Sequence, residues 1–150
     1  MDRSSQQISL GKQEYIETIH ELCGGSLSQA TGTKAIADRL GVKMPSVTQA
    51  LRRLAEAALV NYSPRSAVTL TLSGIRLAEE LKARHEILEE FFNRIGCSPE
   101  KASKIACLVE HDIDMDIASK IKIISSHLET CESFATTLKD IEKDEPSSID

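Results

Sequence analysis

Between residues 33 and 72 the chain strings together two short helical segments, a tight turn and two short alternating runs, and few folds admit that order. Thr33 is placed to cap a helix over residues 34–40, which Gly41 closes. Pro45 sits where it opens a second helix reaching about Ala58, with Val47, Ala50, Leu51, Leu54 and Ala58 on one face at helical spacing. Residues 59–62 then read as a strand, 63–66 as a turn and 67–72 as a return strand in which Val68, Leu70 and Leu72 alternate. Two helices hinged on a glycine turn predict a helix-turn-helix, and a hairpin directly behind it predicts a wing.

The second of these helices leaves Pro45, Ser46, Thr48, Gln49, Arg52 and Arg53 on its other side. Hydroxyls and an amide can read base edges while arginines hold phosphates. A simply solvated polar face is the bland alternative, and the hairpin that follows favours a DNA reader. Arg65, at the hairpin tip, is placed for backbone phosphate or an adjacent minor groove, and Lys34 and Lys43 are further candidate DNA contacts. Charge follows the same division. Residues 31–76 hold seven basic and two acidic side chains, a balance of +5, in a chain of net charge -5, so the remainder carries -10. One module is thus suited to phosphates while the other stays acidic.

The flanking segments read as helices. A first helix over about residues 10–23 places Tyr15, Ile16, Ile19 and Leu22 in one stripe, with Glu14, Glu17 and Glu21 beside or opposite it, and ends at Gly24-Gly25. A long helix from about 74 to 95, capped by Ser73, carries His85 within an apolar seam of Ala78, Leu81, Leu88, Phe92 and Ile95. Ser98-Pro99-Glu100 opens another helix, late in which Cys107, Glu110 and His111 project together if the three-four spacing holds. Thiolate, carboxylate and imidazole suit a borderline transition metal, although a buried cysteine beside a wet Glu-His pair is the commoner arrangement. Helices at about 114–125 and 131–143 close the chain with narrow aliphatic stripes, Ile113, Ile117, Ile121, Ile124 and Leu128 on one and Phe134, Leu138 and Ile141 on the other. These exceed what one private core needs and predict a dimer face.

The expected fold is therefore mainly α with a small β-hairpin wing. It comprises a winged helix-turn-helix DNA-binding domain over residues 1–73, a helical metal-binding and dimerisation domain over 74–144, and a tail over 145–150. No apolar run resembles a signal peptide or a membrane span, and four scattered cysteines fit reduced thiols in a cytoplasm. Nothing marks a substrate pocket, a nucleophile or a phosphate loop, so a metalloenzyme is not the expected reading.

The combination of Glu14-Tyr15-Ile16, Pro45-Ser46-Val47-Thr48-Gln49, Arg84-His85-Glu86 and Cys107-x-x-Glu110-His111 resembles the diphtheria toxin repressor family of metal-dependent prokaryotic transcriptional regulators. The resemblance covers about residues 10–141, and the architecture is similar to the shorter, manganese transport regulator branch. It implies a metal held by Glu14, Glu17, His85, Cys107, Glu110 and His111. Glu89 matches an ancillary-site carboxylate, whereas Ser103 stands where that site's second histidine would be; His20, one turn from Glu17, is a further possibility. Carboxylates and imidazole suit Mn(II), while one thiolate shifts the expectation toward Fe(II), with Mn(II) next. The implied function is a homodimeric repressor that binds double-stranded DNA operators of metal-homeostasis genes when loaded with metal. A winged-helix regulator responding to another ligand, independent of metal, is the alternative.

Overall fold

The computed structural model describes residues 10–144, so the tail expected over 145–150 lies outside the described residues. They form seven helices and a two-stranded antiparallel sheet, mainly α as the sequence requires: α1 (Leu10–Leu22), α2 (Thr33–Leu40), α3 (Met44–Glu56), β1 (Val60–Asn61), β2 (Thr69–Leu70), α4 (Leu72–Arg94), α5 (Pro99–Val109), α6 (Met115–Thr130) and α7 (Glu132–Asp144). The chain divides into two compact units, Met1–Lys82 and Ala83–Asp150. No described helix is long and apolar enough to cross a membrane.

The first unit is built on one aliphatic core. Ile16 and Ile19 of the α1 stripe, with Cys23 just past its end, meet Ile36 and Ala37 of α2, Val47, Leu51 and Leu54 of α3, and Val60, Val68 and Leu70 of the wing. Burial of these side chains, at roughly 25 cal/mol per Å² of apolar surface, is the main drive for the unit. The core extends into α4 through Ile75 and Ala78, so the opening turns of that helix belong to the first unit. α1 stops as expected, with Gly25 N–H donating to His20 O at 2.9 Å.

α2 differs from the sequence reading at its start. Gly32 is the N-cap and Thr33 the first helical residue, with no side-chain cap bond. Gly41 ends α2 at φ 65°, a left-handed conformation that glycine adopts without penalty, and this turn sets α2 and α3 into the helix-turn-helix.

The end of α3 is a Schellman motif without its usual glycine. Leu59 N–H donates to Leu54 O (3.0 Å) and Ala58 N–H to Ala55 O (2.9 Å), with Ala58 itself at φ 56°. The wing pairs Val60 with Leu70 and Asn61 with Thr69. A third rung, not legible in the sequence, joins Thr31 to Val68 through backbone hydrogen bonds of 2.9 and 2.8 Å, so the loop before α2 contributes to the sheet. At the tip, Ser66 N–H and Oγ both donate to Ser63 O (3.1 and 2.8 Å), and Arg65 is held at φ 68°.

Ser73 does not cap the long helix. Thr71 does: its Oγ1 accepts from Gly74 N–H (3.0 Å) and donates to Ala58 O (2.7 Å), so α4 begins at Leu72. Gly74 lies directly against the Leu59 carbonyl, and a Cβ there would overlap its oxygen and come within 3.1 Å of its carbon. The helix can seat on the wing only where no side chain intervenes.

In the second unit α4 continues to Arg94. Ser98 caps α5 by accepting from Lys101 N–H (3.3 Å), and Asp114 caps α6 by accepting from Ile117 N–H (2.9 Å). Ala102 and Ala106 form the buried face of α5, and Leu88 is buried on α4. Arg94 joins α4 to α6, with NH2 at 2.6 Å from Glu90 and 3.1 Å from Glu129. These hydrogen bonds hold its guanidinium above the usual arginine range. On α6, Ile117, Ile123 and Ile124 remain exposed, as does Leu108 on α5.

Candidate metal centre

The second unit gathers a chain of imidazoles and carboxylates where α4 meets the end of α5. His85, on the inner side of α4, donates from Nδ1 to Glu110 Oε2 at 2.7 Å. The other oxygen of that carboxylate, Oε1, lies 3.4 Å from His111 Nε2. Glu110 and His111 side chains are 3% and 4% exposed, so this is a desolvated cluster and not a wet surface pair. His111 Nδ1 is buried without a hydrogen-bond partner.

Two imidazoles and one carboxylate are a donor set for a divalent transition metal. Adjacent donors on an ion with bonds of ~2.1 Å sit roughly 3 Å apart. The 2.7 and 3.4 Å separations bracket that value pair by pair, with the two imidazoles on opposite oxygens of the one Glu110 carboxylate.

The far nitrogen of His85 faces different groups. Glu89 Oε2 is 3.9 Å from His85 Nε2, one helical turn along α4, and Ser103 Oγ of α5 is 3.5 Å from the same atom. A ligating histidine commonly presents its second nitrogen to a carboxylate or hydroxyl that fixes the ring. This arrangement places Glu89 beside the ring nitrogen opposite the one that meets Glu110.

Cys107 behaves differently from Glu110 and His111. It is exposed on α5, whereas α5 ends at Val109 and Glu110 is already the C-cap, its N–H bonded to Ala106 O (2.9 Å). Glu110 keeps helical angles (φ -56°, ψ -27°), so what separates it from Cys107 is burial and not a change of backbone direction. The tighter turn follows it, with Asp112 N–H donating to Val109 O (3.0 Å). In the first unit, Glu14 is exposed and Glu17 half-buried on α1. The Glu14 carboxylate and, more strongly, burial raise the Tyr15 hydroxyl above its ordinary range. Arg84 carries no role in the sequence reading, yet its NH1 donates to Ile113 O at 2.7 Å, two residues beyond His111. Its place in the Arg84-His85-Glu86 motif was the available signal.

The candidate DNA contacts all lie on the first unit. Lys34, Lys43, Pro45, Ser46, Gln49, Arg52, Arg53 and Arg65 are exposed, and Thr48 is half-buried with Oγ1 donating to Met44 O at 3.1 Å. That hydroxyl keeps acceptor capacity and a methyl for a base edge. Buried Val47, Leu51 and Leu54 anchor the opposite face of α3, so the reading face is fixed by the core.

Comparison with known proteins agrees with both halves. Residues 8–68 match the family model "Iron dependent repressor, N-terminal DNA binding domain", and residues 71–136 match "Iron dependent repressor, metal binding and dimerisation domain". The transcriptional regulator MntR of Escherichia coli O6:H1 is 32% identical over 116 residues, covering 76% of this chain and 75% of that protein. The HTH-type transcriptional regulator MntR of Oceanobacillus iheyensis is 27% identical over 137 residues, covering 91% and 92%. A solved structure titled as a manganese-dependent transcriptional repressor in complex with manganese superposes with a TM-score of 0.64 at 32% identity. The match spans 77% of this chain and about half, 52%, of that one.

Proposed function

The chain belongs to the iron dependent repressor family of DNA-binding transcriptional regulators, and from that premise we propose that it is a homodimeric repressor switched by Mn(II), with Fe(II) the second candidate. The family is one of regulators and not of enzymes. The cluster of half-buried His85 with the buried side chains of Glu110 and His111 carries the proposal. Its donors are nitrogen and oxygen, and Cys107 is exposed, so the thiolate that favoured Fe(II) in the sequence carries less weight. Relatives named for manganese support the same order of metals.

In this reading His85 Nδ1, Glu110 and His111 Nε2 hold the ion, and Glu89 with Ser103 orients the His85 ring from its far nitrogen. By the family resemblance Glu14 and Glu17 of α1 supply further carboxylates, with Cys107 a replaceable or peripheral donor. The ion supplies positive charge that holds carboxylates and imidazoles together in one arrangement. A ligand of that kind acts by selecting one conformation, and its effect equals its difference in affinity for the two states. DNA binding then uses the exposed face of α3, with Ser46, Thr48 and Gln49 at base edges and Lys34, Lys43, Arg52, Arg53 and Arg65 at phosphates. Exposed Ile117, Ile123, Ile124 and Leu108 supply the dimer face, and two recognition helices ~34 Å apart would meet successive major grooves. The site of action is the cytoplasm, and metal-homeostasis operators are the targets.

Operator binding by fluorescence anisotropy, with Mn(II), with anaerobic Fe(II) and with chelator, tests the proposal. Metal is expected to tighten binding at least tenfold in the wild type, and Glu110→Gln and His111→Ala are expected to abolish the response. Equal affinity with metal and with chelator would overturn metal control and leave the winged half standing.

A further inference from the structure

His85 and the Glu110-His111 pair come from different segments, 25 residues apart, and two bonds tie those segments together in the second unit. One is the His85–Glu110 hydrogen bond itself, which must open if both groups are to turn their lone pairs on an ion. The other is Arg84 NH1 to Ile113 O, at 2.7 Å. Arg84 immediately precedes His85 on α4, and Ile113 is the residue before the Asp114 cap of α6. The turn that begins at Glu110 and His111 is thus anchored at its far end by a side chain next to the third donor.

The guanidinium is buried, with the residue 9% exposed, and its Nε has no hydrogen-bond partner. Desolvating a permanent cation for one carbonyl bond is costly, so stability alone is a poor reason for an arginine here. An apolar residue of similar length would fill the space. What only a donor supplies is the link to the 113 carbonyl, which uses none of the atoms of the His85–Glu110 bond.

We infer that Arg84 is a positioning residue for the metal centre: it holds residues 110–113 in register with His85 so that the three donors remain aligned when an ion replaces their mutual hydrogen bond. The inference rests on the metal-centre reading above. It concerns a residue that touches none of the proposed donors' binding atoms.

The test uses the full chain carrying Arg84→Met, Arg84→Lys or His111→Ala, each titrated with Mn(II) by competition and with Co(II) by visible spectroscopy. Arg84→Met is expected to weaken Mn(II) binding ten- to a hundredfold, as loss of outer partners of metal ligands commonly does, and to shift the Co(II) bands. Arg84→Lys, still able to donate to the carbonyl, is expected to recover most of both. A merely structural role would lower the melting temperature of the metal-free chain while leaving Mn(II) affinity and the Co(II) spectrum unchanged, and that result overturns the inference. If Arg84→Met does not fold, Arg84→Leu is read by the same criteria. Wild-type binding that is lost in His111→Ala but unchanged in the Arg84 variants refutes this inference alone. A wild type that takes up no Mn(II) refutes the metal centre, and this inference with it.

Discussion

Gly74→Ala sets two terms of opposite sign against each other, and the structure decides between them. Helix propensity favours alanine by up to about 1 kcal/mol inside a helix. Against this, the new Cβ would overlap the Leu59 carbonyl oxygen, 3.1 Å from its carbon and 3.0 Å from Leu70 Cδ2. The oxygen cannot yield cheaply, because it accepts from Thr71 N–H (3.1 Å) at the residue that caps α4. Overpacking costs about 1–3 kcal/mol and a displaced hydrogen bond about 1 kcal/mol. The balance is a destabilisation of about 2 kcal/mol or more, and for a unit of this size a melting temperature about 10 °C lower. The chain has no Trp and its two tyrosines, Tyr15 and Tyr62, both lie in the first unit, so tyrosine fluorescence on heating reports that unit selectively. Gly11→Ala is the internal control: a Cβ there meets nothing within 4 Å, so the same substitution is expected to leave the midpoint unchanged or raise it slightly. A Gly74→Ala chain melting at or above the wild type would refute the close-approach argument.

Ala58→Gly is expected to stabilise the first unit by about 1 kcal/mol, because Ala58 holds φ 56° at the C-terminal turn of α3; the same fluorescence melt would show a rise of several degrees. Among the thiols, hydrogen bonding from Ser133 and the nearby backbone lowers Cys131, whereas burial raises Cys23. At a fixed pH near 8 Cys131 therefore holds more thiolate, and iodoacetamide labelling mapped by mass spectrometry is expected to modify it well before Cys23; comparable rates would contradict that order. At the DNA face, Arg53→Ala is expected to weaken operator and random DNA alike and reduce the salt slope by about 1. Gln49→Ala is expected to cost about 1–3 kcal/mol on the operator and little on random DNA, and anisotropy titrations over a salt series separate the two.

The sequence alone determined which segments are helices, where the helix-turn-helix and wing fall, and which side of α3 faces solvent. These depend on nearby residues: Gly41 and Pro45 punctuate the chain, and Val47, Leu51 and Leu54 recur at the helical period whatever they pack against. The motif Cys107-x-x-Glu110-His111 was legible for the same reason, as a spacing. Tertiary structure decided how those residues are presented. Glu110 leaves α5 as its C-cap and meets His85 across 25 residues, while Cys107, three positions earlier, stays exposed. The Thr31–Val68 rung, the seat of Gly74 on Leu59 and the reach of Arg84 to Ile113 are likewise long-range. A periodic pattern reports only which face of an element seeks burial. Which atoms then meet is fixed by packing against segments 15 to 37 residues away, and a cap, a close approach or a clamp leaves no period in the sequence to read.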